Sequence, residues 1–316
     1  MGGASHAGAL LKYAAFQGSV EILRWLMEEK GYELEWGPKH VEALGIHSGM
    51  GGSVEVLEYF RGKGYEFDRA TCEGAASGGR LEALKFLRGL DPPCPWDEKT
   101  CSGAAYGGHL EVLKWVRSQD PPCPWDEETC AWAARAGQLD VLKWVRSQDP
   151  PCPWSWLVCG RAALKGHLET LKWLRAQNPP CPWDESTCAL AAVGGHLEVL
   201  KWSRSQDPPC PWDESTCDQA AKNGHLEVLK WVRDQDPPCP GDEESCRRAA
   251  EGGHLEVLKW LRDQDPPCPW SRGECKDLAL RNFHFHIVLW IDQQEDDESD
   301  LSDSDSDESL HSYSDE

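Results

Sequence analysis

The 316-residue sequence lacks any uninterrupted apolar run near the roughly 18 residues that a membrane-spanning helix needs, so no such segment and no membrane partner is expected. It is also short of positive charge. Lys and Arg number 32 against 54 Asp and Glu, a formal net charge of -22, from which the expectation is no nucleic-acid partner. The opening stretch MGGASHAGALLKYAAF has no basic segment leading into an apolar run, so no secretory leader is read there. His6 stands where a myristoylation signal wants Ser or Thr. Missing too are a glycine-rich phosphate loop of the right spacing, a nucleophile elbow and a paired His-Glu metal motif. The chain is therefore read as non-enzymatic, without cofactors, catalytic residues or a metal site, and as a cytoplasmic or nuclear monomer.

What the sequence does hold is repetition. Its fifteen cysteines fall into two columns with a period of 29: Cys94, Cys123, Cys152, Cys181, Cys210, Cys239 and Cys268, and Cys72, Cys101, Cys130, Cys159, Cys188, Cys217, Cys246 and Cys275. A fixed period of this size predicts a stacked array in which each repeat buries its apolar face against its neighbours. Within residues 125–151 the pattern predicts two short helices. Asp126 is placed to cap the first, Gly137 to turn the chain out of it, and Leu139, Leu142, Trp144 and Val145 to form the apolar side of the second. Asp149, Pro150 and Pro151 then stop it, and the prolines favour an extended, polyproline-like connector.

The segments AARAGQLDVLKWV at 133–145 and AAVGGHLEVLKWS at 191–203 resemble the ankyrin repeat, with its helix-joining Gly-His-Leu-Glu-Val-Val-Lys turn. The similarity covers almost all of residues 1–291. Two departures stand out: ETCAW replaces the Thr-Pro-Leu-His opening, and the repeat is about four residues shorter than the usual ~33. The missing residues come from the β-hairpin, here DPPCPW, which is similar to the short-hairpin Cys-Pro-Trp repeats of expanded algal, oomycete and large-DNA-virus families. The resemblance implies an all-α, ankyrin-like solenoid with first helices lining a concave groove. Ten repeats are marked by Gly18, Gly52, Gly79, Gly108, Gly137, Gly166, Gly195, Gly224, Gly253 and Asn282, with irregular caps at about 1–35 and 270–291. Within the last cap His284 and His286 raise a metal pair, against which ordinary cap packing is preferred.

Beyond the array, residues 292–316 carry twelve acids and no Lys or Arg, the composition of a disordered tail. Ser302, Ser304 and Ser312 each precede an acid by three residues, the pattern acidophilic kinases use.

The cysteines are judged by what replaces them in register. Leu11 occupies the helix column, and Tyr65 and Phe67 occupy the slots of Cys123 and Trp125, so packing residues serve where no metal or redox chemistry is possible. The alternative is a cysteine-based metal-binding or redox-responsive protein. It is disfavoured by the six residues between CPWDEETC cysteines and by a histidine column that reads Ser19, Ser53, Arg80, His109, Gln138, His167, His196, His225, His254 and Phe283. Function is sought instead where repeats differ, in three first-helix columns nine, five and two residues before the turn glycine. These columns supply Tyr106, Trp132, Arg135, Leu157, Arg161, Leu164, Leu190 and Val193, a stretch suited to binding a protein or peptide.

Overall fold

The computed structural model describes residues 3–32, 38–239 and 243–294. Twenty α-helices run through these residues, mostly eight to ten residues long, and none of the described residues is in a strand. No described helix is long and apolar enough to cross a membrane. The acidic segment with Ser302, Ser304 and Ser312 lies outside the described residues, as does Gly241, where the loop tryptophan is replaced.

The chain divides into two bodies, Met1–Trp183 and Asp184–Glu316. In the first, the helices Gly3–Phe16, Pro38–Gly51, Arg69–Ser77, Glu98–Gly107, Glu127–Arg135 and Trp156–Leu164 pack in that order, each on the next. Such a row of neighbouring first helices is the signature of a helical repeat solenoid. In the second body Glu185–Val193, Glu214–Lys222, Glu243–Gly252 and Arg272–Arg281 do the same.

One repeat shows how the sequence builds it. Asp126 takes extended backbone and its Oδ1 accepts the Glu128 amide at 3.1 Å, satisfying an amide that the helix Glu127–Arg135 leaves without an internal acceptor. Cys130, Ala131, Ala133 and Ala134 bury the first helix, and Val141, Leu142 and Val145 bury the second, Leu139–Arg146. The turn between them needs Gly137 at φ +70°, a conformation that a Cβ disfavours. The final repeat breaks this rule. Its turn comes one residue later after the helix cysteine than in the other repeats, so Phe283, not Asn282, takes the left-handed position at φ +63° and stands 77% exposed. His284 consequently occupies the histidine column there in place of Phe283.

That column ties repeats together. Nε2 of His109 donates to the Ser77 carbonyl at 3.0 Å, His167 to Arg135 at 3.1 Å, His225 to Val193 at 3.0 Å and His284 to Glu251 at 3.1 Å. Each ring also lies against the turn glycine before it: a Cβ on Gly137 would sit 2.9 Å from the His167 ring. His286 donates likewise to the Gly253 carbonyl at 3.1 Å, so both cap histidines are engaged in packing.

The connector is a second tie. Arg117, at the end of one second helix, stacks 4.1 Å from the Trp125 ring, which meets Trp144 of the next second helix edge-on at 6.2 Å. The same set recurs as Arg88, Trp96 and Trp115, as Arg146, Trp154 and Trp173, and as Arg204, Trp212 and Trp231. The arginine NH1 donates to the loop cysteine carbonyl, at 2.6 Å for Arg175 to Cys181 and 2.7 Å for Arg204 to Cys210. In place of the plain extended connector expected, the Asp–Pro or Asn–Pro bond is cis in all seven such loops.

Four buried threonine hydroxyls, in Thr100, Thr129, Thr187 and Thr216, have no hydrogen-bond partner, and in the same column the chain itself uses Val158, fully buried. An unsatisfied buried hydroxyl costs about 1–3 kcal/mol. Thr129→Val and Thr216→Val are each expected to raise the melting temperature. A destabilisation of about 1 kcal/mol in denaturant titration would show that the hydroxyl is used.

Candidate functional site

The three variable columns can be followed along each body. In the first, Trp132 is the centre of a cluster. It is half-buried, not freely exposed as its position alone implied, because Tyr106 meets it edge-on at 5.6 Å and 90°. Two guanidinium groups lie over its ring, Arg161 at 5.1 Å and Arg135 at 5.5 Å, where the negative face of the indole attracts cations. Neither guanidinium makes an ion pair or hydrogen bond with another described residue. Tyr106 remains 50% exposed, and Leu157 and Leu164 are half-buried in the same helix as Arg161. Leu190 and Val193 lie in the second body, both half-buried on the helix Glu185–Val193. The structure thus brings Tyr106, Trp132, Arg135 and Arg161 into one contact set.

An apolar cleft of about 460 Å³ lies between the helices Gly3–Phe16 and Pro38–Gly51, lined by Ala9, Lys12, Tyr13, Phe16, His47 and Met50. Sequence reasoning missed it. Counting back from Gly18 and Gly52 by the same intervals would have found it, since Ala9, Tyr13 and Phe16, and then His47 and Met50, occupy the variable columns. Between the cleft and the Trp132 cluster the columns shrink to Ala70, Gly74 and Ser77. Here the backbones meet directly, for a Cβ on Gly74 would collide with the Ile46 carbonyl.

The second body carries charge in these columns, and pairs it internally. Arg248 contacts Glu244 at 2.8 Å and Glu251 at 2.9 Å; Arg247 contacts Glu244 and Glu274 at 3.0 Å each; Lys222 contacts Glu251 at 2.7 Å. The Lys222 hydrogen bond holds the Glu251 carboxyl below its ordinary pKa, and the Glu251 bond raises that of Arg248. Asp218 is buried and accepts the Ser245 hydroxyl at 2.8 Å. Burial pushes the His254 imidazole down.

All fifteen cysteines are buried and none is in a disulfide. The neighbours in space are not the pairs seven apart in sequence but those 22 apart: Cys72 Sγ lies 3.3 Å from Cys94 Sγ, and Cys101 Sγ donates to the Cys123 carbonyl at 3.8 Å. Loop thiols donate one repeat back, Cys123 to the Asp97 carbonyl at 3.3 Å and Cys152 to Asp126 at 3.2 Å. The shared thiol hydrogen bond and burial push the thiols of Cys72, Cys101, Cys152, Cys217 and Cys246 up, and burial takes Cys275 to about 12. Cys188 differs, lowered by its bond to Cys210. Leu11, Tyr65 and Phe67 do take the packing places expected of them. Leu11 and Tyr65 are buried, and Phe67 stacks 5.3 Å from Tyr65.

No family model matches this chain, and no curated protein matches it. Two solved structures similar to it are the pentatricopeptide repeat protein PPR10 in complex with an 18-nt psaJ RNA element and a cysteine-to-serine variant of that complex. Each has 12% identity and a TM-score of 0.42 and covers 92% of this chain and 51% of the other, so this chain spans about half the length of the proteins it matches. The expectation of no nucleic-acid partner is corrected on this point, because those similar repeat proteins hold RNA. The physical error was to read net charge as a local property: twelve of the acids fall in residues 292–316, while Arg135 and Arg161 face one ring.

Thiols this deeply buried react only when the array opens. With a colourimetric disulfide reagent, few of the fifteen are expected to react within minutes in buffer and all of them in denaturant. Rapid titration of most thiols in the native state would contradict this packing role.

Proposed function

We propose that the chain is a non-enzymatic scaffold of short-hairpin ankyrin type that binds a protein or peptide through the first-helix columns of its first body. The observation that carries this reading is the Trp132 cluster. Elsewhere in the repeat the conspicuous side chains are consumed by contacts between repeats: loop tryptophans under arginines, histidines on carbonyls, thiols on carbonyls or one another. Tyr106, Trp132, Arg135 and Arg161 serve no such periodic tie, and they sit in columns that change from one copy to the next. Aromatic and arginine side chains grouped with aliphatic neighbours are the residue types that carry binding energy at protein interfaces. The N-terminal cleft with Tyr13 and Phe16 offers a second apolar anchor point in the same columns.

Trp132→Ala combined with Leu164→Ala is expected to weaken partner recovery at least tenfold while lowering the melting temperature only slightly, since both side chains are half-buried. Unchanged recovery in a quantitative pull-down would remove the cluster from the binding surface.

A further inference from the structure

The inner columns of the two bodies permit an internal comparison. Arg248 stands five residues before its turn glycine, with Glu244 nine before and Glu251 two before, and both carboxylates contact it, at 2.8 and 2.9 Å. Arg161 stands five residues before Gly166, and the same two flanking positions hold Leu157 and Leu164. The acids that neutralise Arg248 are thus leucines around Arg161. A second guanidinium, Arg135, shares the same indole, so two cations lie over one ring at 5.1 and 5.5 Å from its centroid. Contact with an indole face at an exposed site holds a guanidinium less strongly than a charge-assisted fork to a carboxylate.

We infer that the missing anion is supplied by the partner: the groove at Trp132 takes an acidic segment of another protein. One Asp or Glu carboxylate lies between Arg135 and Arg161, and neighbouring aliphatic or aromatic side chains rest on Leu157, Leu164 and Tyr106. This rests on the proposed binding role and adds the chemistry of the ligand. A peptide carboxylate fits better than a nucleic-acid backbone, because a strand of phosphates asks for a row of cations. Here there are two guanidinium groups at one indole, with Leu157 and Leu164 on the helix of Arg161.

Selection of a random 12-residue phage-displayed library on the full chain tests this, with Arg135→Gln/Arg161→Gln and Trp132→Ala/Leu164→Ala chains as parallel baits. Synthetic peptides from the selection are then titrated by fluorescence polarisation. The expected peptides are enriched in Asp or Glu beside Leu, Phe or Tyr. They bind the double Gln chain at least tenfold more weakly, the Arg135→Lys/Arg161→Lys chain at an intermediate level, and weaken with added salt. Peptides without acidic enrichment that bind wild type and double Gln chains equally, yet lose the Trp132→Ala/Leu164→Ala chain, overturn the acidic ligand and leave the groove standing. No recovered peptide, or equal binding to every chain, overturns both. A decauridine probe that displaces the peptides at lower concentration through the same arginines overturns the assignment to a protein carboxylate. Melting temperatures of the three variants close to that of wild type keep each outcome interpretable.

Discussion

The arginine that ends the second helices from Leu81–Arg88 to Leu255–Arg262 is the contact on which the rest of the array depends. Through one side chain it stacks on the loop tryptophan and binds the loop cysteine carbonyl, as Arg175 does with Trp183 at 4.0 Å and Cys181 at 2.6 Å. The loop it fixes then delivers a thiol to the preceding first helix, Cys181 Sγ to the Ser155 carbonyl at 3.6 Å. The loop amide closes the set: Cys181 N–H donates to the Leu174 carbonyl at 3.1 Å. A guanidinium does this where an ammonium would not, because its planar fork can stack and donate at once. With the connector held, the histidine ties and the Ala-Ala faces of the first helices fall into register repeat after repeat.

Because these ties have fixed sequence offsets, they constrain every copy alike and leave only a few positions free to differ. Those positions lie on the first helices, and the two bodies use them in opposite ways. Around Arg248 the second body fills them with charges that neutralise one another, while around Trp132 the first fills them with an aromatic and arginine cluster whose cations have no acid beside them. Self-paired charge is solvated and needs no ligand; the cluster around Trp132 is the surface that gains from being covered.

Much of this was legible beforehand because it is local. The Asp126 cap, the Gly137 turn and the boundaries of the second helix follow from helix-end chemistry, and all are present. Contacts across the repeat were not legible. Cys123 and Cys130 look like a pair in sequence, yet the loop carries Cys123 back to the repeat of Cys101 and leaves Cys130 to that of Cys152. The arginine eight residues before each loop tryptophan was visible in every copy, but only the bend of the connector lays the guanidinium on the ring. The last repeat slipped by one, since an extra residue between Cys275 and the turn moves Phe283 into the place where glycine is expected. On the first helices the columns themselves were readable, whereas the pairing of Arg248 and the solitude of Arg161 depend on neighbours the sequence does not place side by side.

The central claim, that a loop tryptophan and its arginine act together to join repeats, is tested most directly by a double-mutant cycle on Arg146 and Trp154, which lie 3.8 Å apart. Stability of the wild type, Arg146→Ala, Trp154→Ala and the double variant, measured by denaturant titration, isolates their coupling. The account predicts a coupling of about 1 kcal/mol or more, in the range of partly desolvated cation–π pairs. Additive losses would contradict it.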